Sequence, residues 1–251
     1  MSGIQKAIIL AAGKGTRMGN LTSDLPKPML PVNGVPVLER IVHHLSASGV
    51  HDVLIITGYK AEAVERHFGD GSAFGCRIRY IRQPTQDGTG RVVELGHPFT
   101  GSEPFLLIYG DILVEPPTYS RVIQEFQKHK DCAGILTVNL GEDVTKGGAL
   151  IFDEEFRLKE LVEKPSSEEL QKLTAVPGFK PWYNAGLYAF AAELFPHIAR
   201  LKKSVRGEYE LTDAIRTLAR DTGRVFGMRI EGYWIDVRDP VLLARAQSLV
   251  K

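Results

Sequence analysis

In the first 140 residues, short apolar segments alternate regularly with segments that have the apolar spacing of a helix. In the clearest helix, apolar side chains recur at i, i+3, i+4 and i+7 from Leu38 to Leu45, and Gly49 follows where a helix would end. Such alternation predicts a largely parallel sheet covered by helices. The predicted strands are 6–12, 52–57, 77–81, 105–109 and 133–138, and the predicted helices are 36–48, 60–68, 89–96 and 117–129.

After residue 140 the predicted strands become shorter and turn signals become more frequent. This pattern predicts an extension of the sheet with a small antiparallel part. The proline- and glycine-rich run from Val176 to Trp182 predicts a surface loop or lid within a single domain that spans 1–251. The predicted strands are 148–153, 157–162, 185–190 and 225–230, and the predicted helices are 166–173, 191–200, 209–221 and 239–249.

Composition and charge narrow the class of ligand. The formal net charge of +1 argues against a broad basic face, and therefore against a nucleic-acid partner. Cys76 and Cys132 do not form a zinc-binding motif. No apolar stretch reaches the roughly 20 residues of a membrane span, and no leader-like segment precedes the first strand. We therefore expect a cytoplasmic protein that acts on a small ligand and does not bind a membrane.

The first predicted strand runs directly into a glycine-rich basic loop. Its apolar residues, Ala7 to Ala12, fit a fully buried parallel strand. Gly13, Gly15 and Gly19 allow backbone N–H groups to approach phosphate oxygens closely. The same residues could also form an ordinary tight turn between a strand and a helix. A dinucleotide-binding dehydrogenase would need a glycine at position 18, where this sequence has Met18.

Two basic side chains accompany this loop: Arg17 lies within it, and Lys27 follows between two prolines. Both can make charge-assisted hydrogen bonds to phosphate. The segment from Leu10 to Pro31, with Gly-x-Gly-Thr-Arg-Met followed by Pro-Lys-Pro, resembles the signature of the sugar-1-phosphate nucleotidylyltransferases. The resemblance implies a Rossmann-like, three-layer α/β/α (GT-A-like) fold with a mixed, mostly parallel sheet. It also implies an enzyme that transfers a nucleotidyl group from a nucleoside triphosphate, with UTP or dTTP favoured, to a sugar 1-phosphate.

The resemblance assigns residues 1–140 mainly to the nucleotide and 141–251 mainly to the sugar phosphate. As implied catalytic residues, Arg17 would hold the triphosphate, Lys27 would stabilise charge at the α-phosphate, and Lys164 would hold the sugar phosphate. Gln83 would recognise the base, because a side-chain amide can pair with uracil or thymine; the alternative is an ordinary polar loop that enters a helix. The implied nucleotide-binding residues are Leu10, Ala11, Ala12, Gly13, Gly15, Thr16, Arg17, Lys27, Gln83, Gly88 and Thr89.

Two aspartates are the implied ligands of a Mg²⁺ cofactor. Asp111 follows a buried apolar segment, and Asp236 lies within a Trp-Ile-Asp-Val sequence near the C-terminal end. Magnesium prefers one or two carboxylates together with the phosphate oxygens of a substrate. Each aspartate taken alone could instead cap a helix or accept hydrogen bonds from turn N–H groups.

The implied sugar-phosphate-binding residues are Gly148, Glu163, Lys164 and Asn184. Glu163-Lys164-Pro165 resembles the family's Glu-Lys-Pro, whose lysine contacts the sugar phosphate and whose glutamate contacts a sugar hydroxyl. The proline is expected to fix the local backbone. Asn184 begins an Asn-x-Gly-hydrophobic-Tyr pattern in which the amide contacts sugar hydroxyls. The alternatives are a solvated charged pair and an ordinary turn.

The sequence departs from the family pattern at several positions. Arg91 follows Gly-Thr-Gly where Gly-Thr-Ala is common, which is expected to place an arginine near the phosphate site. Ile112 stands where thymidylyltransferases usually have asparagine, and Asp236-Val237-Arg238-Asp239-Pro240 replaces Asp-x-Gly-Thr-Pro. Asp239 is either an additional acidic group or, as we favour, the N-cap of the last helix.

Residues 207–215 also resemble the glucose-1-phosphate uridylyl- and thymidylyltransferases, and we expect them to serve mainly packing, with Arg206 and Glu208 at the rim of the site. The sequence leaves the base and the sugar open, so GTP or CTP are alternatives, as is a non-catalytic subunit that binds a sugar nucleotide. A homo-oligomer is a further expectation. We expect no C-terminal domain of stacked strands, which family members with acetyltransferase activity carry.

Overall fold

A computed structural model describes residues 3–175 and 180–250, and its main element is a large mixed β-sheet with helices on both faces. In the described residues the strands are β1 (Lys6–Ala11), β2 (Pro31–Val32), β3 (Val35–Pro36), β4 (Asp52–Thr57), β5 (Arg77–Arg82), β6 (Phe105–Tyr109), β7 (Ile112–Val114), β8 (Gly134–Asn139), β9 (Gly148–Phe152), β10 (Leu158–Glu163), β11 (Trp182–Phe190), β12 (Val225–Arg229) and β13 (Trp234–Asp236). The α-helices are α1 (Val37–Ala47), α2 (Ala61–Phe68), α3 (Thr89–Glu94), α4 (His97–Thr100), α5 (Pro117–Lys128), α6 (Ser167–Thr174), α7 (Leu194–Ala199), α8 (Leu211–Thr222) and α9 (Pro240–Leu249). Short 3₁₀ helices span Thr16–Thr22, Lys27–Met29, Ser72–Phe74 and Val144–Lys146.

The strand order confirms a mixed, mostly parallel sheet. The order is β10-β9-β11-β6-β1-β4-β5, with β8 paired to β11 and β12 paired to β8. Strands β10 and β11 run opposite to the other strands of this sheet. The central strand β1 lies between β4 and β6 and is parallel to both, so its carboxyl end opens towards the site.

Alternate side chains of β1 divide the core into two layers. Ile9 belongs to the hydrophobic cluster that contains the apolar faces of α1, α2 and α5. Ile8 belongs to the cluster on the other face, with α3, α7 and α8. Because both faces are covered, the strand reads as a continuous apolar run, and the three-layer α/β/α arrangement is confirmed. No helix in the ranges 3–175 and 180–250 is long and apolar enough to cross a membrane.

The sheet divides along one edge of β11. Tyr183, near the start of β11, pairs with β9, whereas Leu187 to Phe190 pair with β6 on the same edge. The opposite edge pairs with β8 and has an irregularity between Asn184 and Tyr188. Gly186 lies between the two ladders with φ 80°, a left-handed conformation that glycine adopts without strain. The gap between β9 and β6 contains part of the site described below.

The structure differs from the sequence predictions in a few elements. The pair formed by β7 and β13 and the β2–β3 hairpin were not predicted. Strand β11 begins at Trp182, so this residue belongs to a strand and not to the loop predicted for 176–182; residues 176–179 of that prediction lie outside the described residues. The predicted helix 191–200 is confined to Leu194–Ala199 because Ala191 to Glu193 form the turn that leaves β11.

Candidate active site

A cavity with a volume of about 370 Å³ lies at the carboxyl end of β1, between the glycine loop and α3. We call it the nucleotide cavity. All the residues that the sequence analysis assigned to the nucleotide line this cavity. The other lining residues are Pro28, Gln86, Val92, Tyr109, Asp111, Glu208 and Arg238.

The glycine loop is shaped to bring Lys27 into this cavity. Gly15 has φ 64°, and a Cβ added to it would lie 2.7 Å from Lys27 Cβ. The glycine therefore serves both a left-handed turn and a close approach. Lys27 begins a 3₁₀ helix after Pro26, and its side chain is only 13% exposed. Its ammonium group forms an ion pair with Asp111.

A second cavity of about 270 Å³, the sugar cavity, occupies the gap where the sheet divides along β11. All the residues that were assigned to the sugar phosphate or to the metal line it. The two cavities share Arg17, Lys27, Thr89, Tyr109 and Asp111. The Lys27–Asp111 ion pair therefore lies where the two cavities meet.

The two aspartates are brought together by the small β7–β13 sheet. Asp111 immediately precedes β7, and Asp236 is the last residue of β13, where it is paired with Ile112. The N–H of Val237 donates to the carbonyl oxygen of Asp111 at 2.9 Å, which holds the two aspartate-bearing segments side by side. These are strands of three residues without a readable period, which is why the sequence analysis missed them.

The negative charges of Asp111 and Asp236 repel each other, and nearby cations partly offset this repulsion. Burial, and then the negative charge of Asp111, raise the pKa of Asp236 to about 6 against the attraction of Lys27, Arg238 and Arg17. A buried carboxyl group whose pKa is raised by the charge of a neighbouring carboxylate fits a site for a divalent cation. Within the described ranges no cluster of three or more acidic, histidine or cysteine ligands occurs. Two carboxylates are nevertheless what Mg²⁺ needs when a substrate supplies further oxygens, so the residues present fit this metal.

The sugar cavity contains a partly buried acidic residue, Glu163, next to an exposed basic residue, Lys164. Burial, the largest effect, raises the pKa of Glu163, and Lys164 partly offsets the increase. Lys164 has φ 45°, and its N–H donates to the carbonyl oxygen of Gly147 at 2.6 Å. Lys164 therefore adopts a left-handed backbone, which is unusual for a residue before proline. Asn184 accepts a hydrogen bond from the Tyr188 hydroxyl at 2.9 Å, which fixes its amide within the cavity.

The segment assigned to the base is held by the chain around Tyr209. A Cβ on Gly88, whose φ is 119°, would overlap the backbone N of Tyr209, so this glycine is required for contact with the protein itself and not only with a base. Tyr209 donates to the carbonyl oxygen of Asp87 at 2.9 Å and accepts from the N–H of Gly90 at 2.8 Å. The expected packing role of residues 207–215 agrees with these contacts.

Two side-chain amides face the nucleotide cavity. The Nε2 of Gln83 donates to the carbonyl oxygen of Thr85 at 2.7 Å. Gln86, which the sequence analysis missed, donates from its Nε2 to the carbonyl oxygen of Ala12 at 3.3 Å. Its signal in the sequence was its position in the same polar loop, three residues after Gln83.

For the residues that depart from the family pattern, the structure agrees with some predictions and not with others. The prediction for Arg91 was wrong: its guanidinium stacks on the Tyr209 ring at 4.4 Å and pairs with Glu94, and it lines neither cavity. Asp239 accepts from the N–H of Leu242 at 2.9 Å, which confirms it as the N-cap of α9. Arg238, which received no role from the sequence, lines the nucleotide cavity.

The rim residues also differ from one another. Glu208 lines the nucleotide cavity, as expected. Arg206 instead supports the sugar cavity from behind, because it donates to the carbonyl oxygen of Glu163 at 3.1 Å and pairs with Glu210 at 2.8 Å. Lys146 and Tyr183 line the sugar cavity and were not predicted from the sequence.

Comparison with known proteins gives consistent matches along the whole length of the chain. Residues 6–250 match the model of a family described as nucleotidyl transferase. The bifunctional protein GlmU of Methanococcus aeolicus is 34% identical over 234 residues, which cover 93% of this chain and 51% of GlmU, so the chain spans about half the length of this relative. The glucose-1-phosphate thymidylyltransferase of Neisseria gonorrhoeae is 29% identical over 248 residues, 98% of this chain and 82% of that protein. A UDP-glucose pyrophosphorylase in complex with UDP-glucose superimposes with a TM-score of 0.83 at 25% identity, covering 98% of this chain and 97% of the other.

Proposed function

The chain belongs to the nucleotidyl transferase family, and from this premise we propose that it transfers a nucleotidyl group from UTP or dTTP to a sugar 1-phosphate and releases pyrophosphate. Relatives and structural neighbours that are named as sugar-phosphate nucleotidyltransferases support the reaction class. One observation carries the proposal: a nucleotide cavity and a sugar cavity meet at the Lys27–Asp111 ion pair. A transfer between two bound substrates needs such a junction.

The fixed cations provide the binding and alignment that the reaction requires. Both substrates are anions, so the protein must neutralise charge and hold the reacting groups in line. Arg17 and Lys27 lie in both cavities and hold the triphosphate, with Lys27 at the α-phosphate. Lys164 lines only the sugar cavity and holds the attacking sugar phosphate. Because Lys27 is mostly buried, its charge acts with little screening by water.

Asp111 and Asp236 would hold Mg²⁺, which when bound neutralises phosphate charge and orients the substrates. Around this position the Lys27 ammonium offsets the negative charge of the two carboxylates. The base and sugar remain the finer part of the proposal. The amides of Gln83 and Gln86 support a base with both donor and acceptor groups on its edge, such as uracil or thymine.

The proposal is tested by pyrophosphate release with Mg²⁺ across UTP, dTTP, GTP and CTP against a panel of sugar 1-phosphates. We expect release with UTP or dTTP and one class of sugar. Release with GTP or CTP alone would replace the proposed base. Folded protein that binds a sugar nucleotide but releases no pyrophosphate with any pair would point to a non-catalytic binding subunit.

The metal assignment is tested by Asp111→Ala and Asp236→Ala variants in the same assay. Each is expected to lower magnesium-dependent turnover by roughly a hundredfold or more, because charge neutralisation is the main catalytic contribution here. Asp221→Ala is the matched control, because Asp221 is an aspartate of α8 that lines neither cavity. Near-normal turnover in either folded site variant would contradict the assignment.

A further inference from the structure

Arg238 is a cation of the site that the family motif does not account for. It stands in Asp236-Val237-Arg238, where the family pattern usually has glycine. Its side chain is only 14% exposed, yet it lines the nucleotide cavity and not the sugar cavity. A charged group with so little exposure needs specific partners, since burial of an unpaired charge is costly.

Two anchors hold the Arg238 guanidinium. Its Nη1 donates to the Tyr183 hydroxyl at 3.3 Å and lies 3.4 Å from Asp236 Oδ2. Tyr183 is itself buried, with 4% of its surface exposed. The anchors come from different parts of the fold, because Tyr183 belongs to β11 and Asp236 to β13.

The position of Tyr183 depends on the absence of a side chain at residue 147. A Cβ added to Gly147 would overlap the hydroxyl and the adjacent ring carbon of Tyr183. Gly147 has φ −149°, outside the left-handed region, and the overlap with Tyr183 leaves no space for a side chain here. Gly147, Tyr183 and Arg238 thus form one connected arrangement.

The anchors use only part of the guanidinium. Arginine has five N–H donors in a planar fork, and both contacts involve Nη1. In the described part of the chain, Nε and Nη2 of Arg238 donate no hydrogen bond to a protein acceptor. A guanidinium that is fixed at one corner and faces a cavity lined by Arg17 and Lys27 matches the geometry of a phosphate.

We propose that Arg238, held by Tyr183 and Asp236, is a phosphate-binding residue that contacts the part of the nucleoside triphosphate that leaves as pyrophosphate. Lys27 and Asp111 occupy the junction with the sugar cavity, where the α-phosphate must lie for transfer. Arg238 lies on the nucleotide side alone, which favours the β- and γ-phosphates. This inference rests on the proposed function.

The test is calorimetric binding of inorganic pyrophosphate, UTP and dTTP in EDTA, so that no metal contributes. Arg238→Ala is expected to weaken pyrophosphate binding about tenfold or more, as for loss of a hydrogen bond to a charged group. Arg238→Lys should restore part of the affinity, and Tyr183→Phe, which loses the anchoring hydroxyl, should give a smaller loss. Arg220→Ala is the matched control, since it removes the same charge from a side chain that is 74% exposed on α8. The affinity of Arg220→Ala for pyrophosphate should equal that of the unmodified protein.

The outcomes separate this inference from the proposed function. Unmodified protein that binds neither pyrophosphate nor either nucleotide in EDTA overturns the inference, whereas the proposed function is overturned only if no substrate pair releases pyrophosphate with Mg²⁺. Binding by the unmodified protein with equal affinity in Arg238→Ala overturns the inference alone and leaves Arg238 as a support for Asp236. If Arg238→Ala does not fold, the Lys and Tyr183→Phe variants decide, and unchanged pyrophosphate affinity in both overturns the inference.

Discussion

At the scale of single residues, the site combines groups that would be more stable apart. Asp111 and Asp236 repel each other in a partly buried position, and Lys27 and Arg238 compensate without removing the cost. The raised pKa of Asp236 means that its ionised form is less favourable in the folded protein than in the unfolded chain. The protein therefore loses stability in order to keep two carboxylates together.

Replacing Asp236 by asparagine is expected to stabilise the metal-free protein at about pH 8 by about 1–3 kcal/mol, because the folded-state pKa of about 6 lies above the ordinary value of 3.8 for an aspartate. The gain should shrink as the pH falls through about 6 and nearly vanish below about pH 3, where the carboxyl group is protonated in both states. Urea unfolding in EDTA at several pH values measures the difference. Asp143→Asn is the control without a gain, because hydrogen bonds from Thr145 lower the pKa of Asp143. An Asp236→Asn variant less stable than the unmodified protein at pH 8 would contradict this account.

Gly13 and Gly15 of the glycine loop should differ in their tolerance of alanine. Gly15→Ala is expected to cost about 1–3 kcal/mol of stability, because the position has φ 64° and the new Cβ would lie 2.7 Å from Lys27 Cβ. At Gly13 a Cβ meets nothing within 4 Å and φ is not in the left-handed region. Gly13→Ala should therefore leave the thermal unfolding midpoint close to that of the unmodified protein. Equal thermal unfolding midpoints for Gly13→Ala and Gly15→Ala would contradict a destabilising contact between the new Cβ and Lys27.

At the scale of elements, segments whose apolar residues repeat with the spacing of a helix or strand were predictable from the sequence. Short strands that pair with distant parts of the chain were not. The strand β1, the helix α1 and the capped helix α9 follow from apolar spacing and cap residues, and so does the glycine loop. The β7–β13 pair joins residues about 120 positions apart through three-residue strands, so no local sequence pattern predicts it. Arg91 was misplaced for a related reason: its position in α3 was predicted, but the side to which it points depends on Tyr209, far along the chain.

A hydrogen bond from Trp234 links the β7–β13 pair to β11. Trp234 is buried, and its Nε1 donates to the carbonyl oxygen of Ala185 at 2.8 Å. Trp234→Phe is expected to lower the free energy of unfolding by about 1–3 kcal/mol, because it leaves a buried carbonyl without its donor. Trp182→Phe is the matched control, since Trp182 is only partly buried and contacts Phe156 through its ring. Urea unfolding of the two variants should rank Trp234→Phe as the less stable; the reverse order would contradict a tie through Ala185.

At the scale of the whole molecule, the two cavities on either side of the Lys27–Asp111 ion pair predict different effects of Lys27 and Lys164 on substrate binding. Lys27 lines both cavities, whereas Lys164 lines only the sugar cavity. Lys27→Ala should raise the KM of both substrates about tenfold or more, and Lys164→Ala should raise that of the sugar 1-phosphate alone. Steady-state kinetics with each substrate varied in turn measures this, with Lys172→Ala on the exposed face of α6 as the control. An equal increase for both substrates in Lys164→Ala would contradict the separation.

The division of the sheet along β11 gives the protein a modular construction. The β9–β10 hairpin, which carries Gly148 and Glu163, joins the rest of the sheet through the beginning of β11, while the β6-β1-β4-β5 block joins through its end. Substitutions or exchanges in the hairpin can therefore reshape the sugar cavity without altering β1, which leads into the glycine loop. Under the proposed function, the hairpin is therefore the natural starting point for an engineer who wishes to change the sugar 1-phosphate and keep the nucleoside triphosphate.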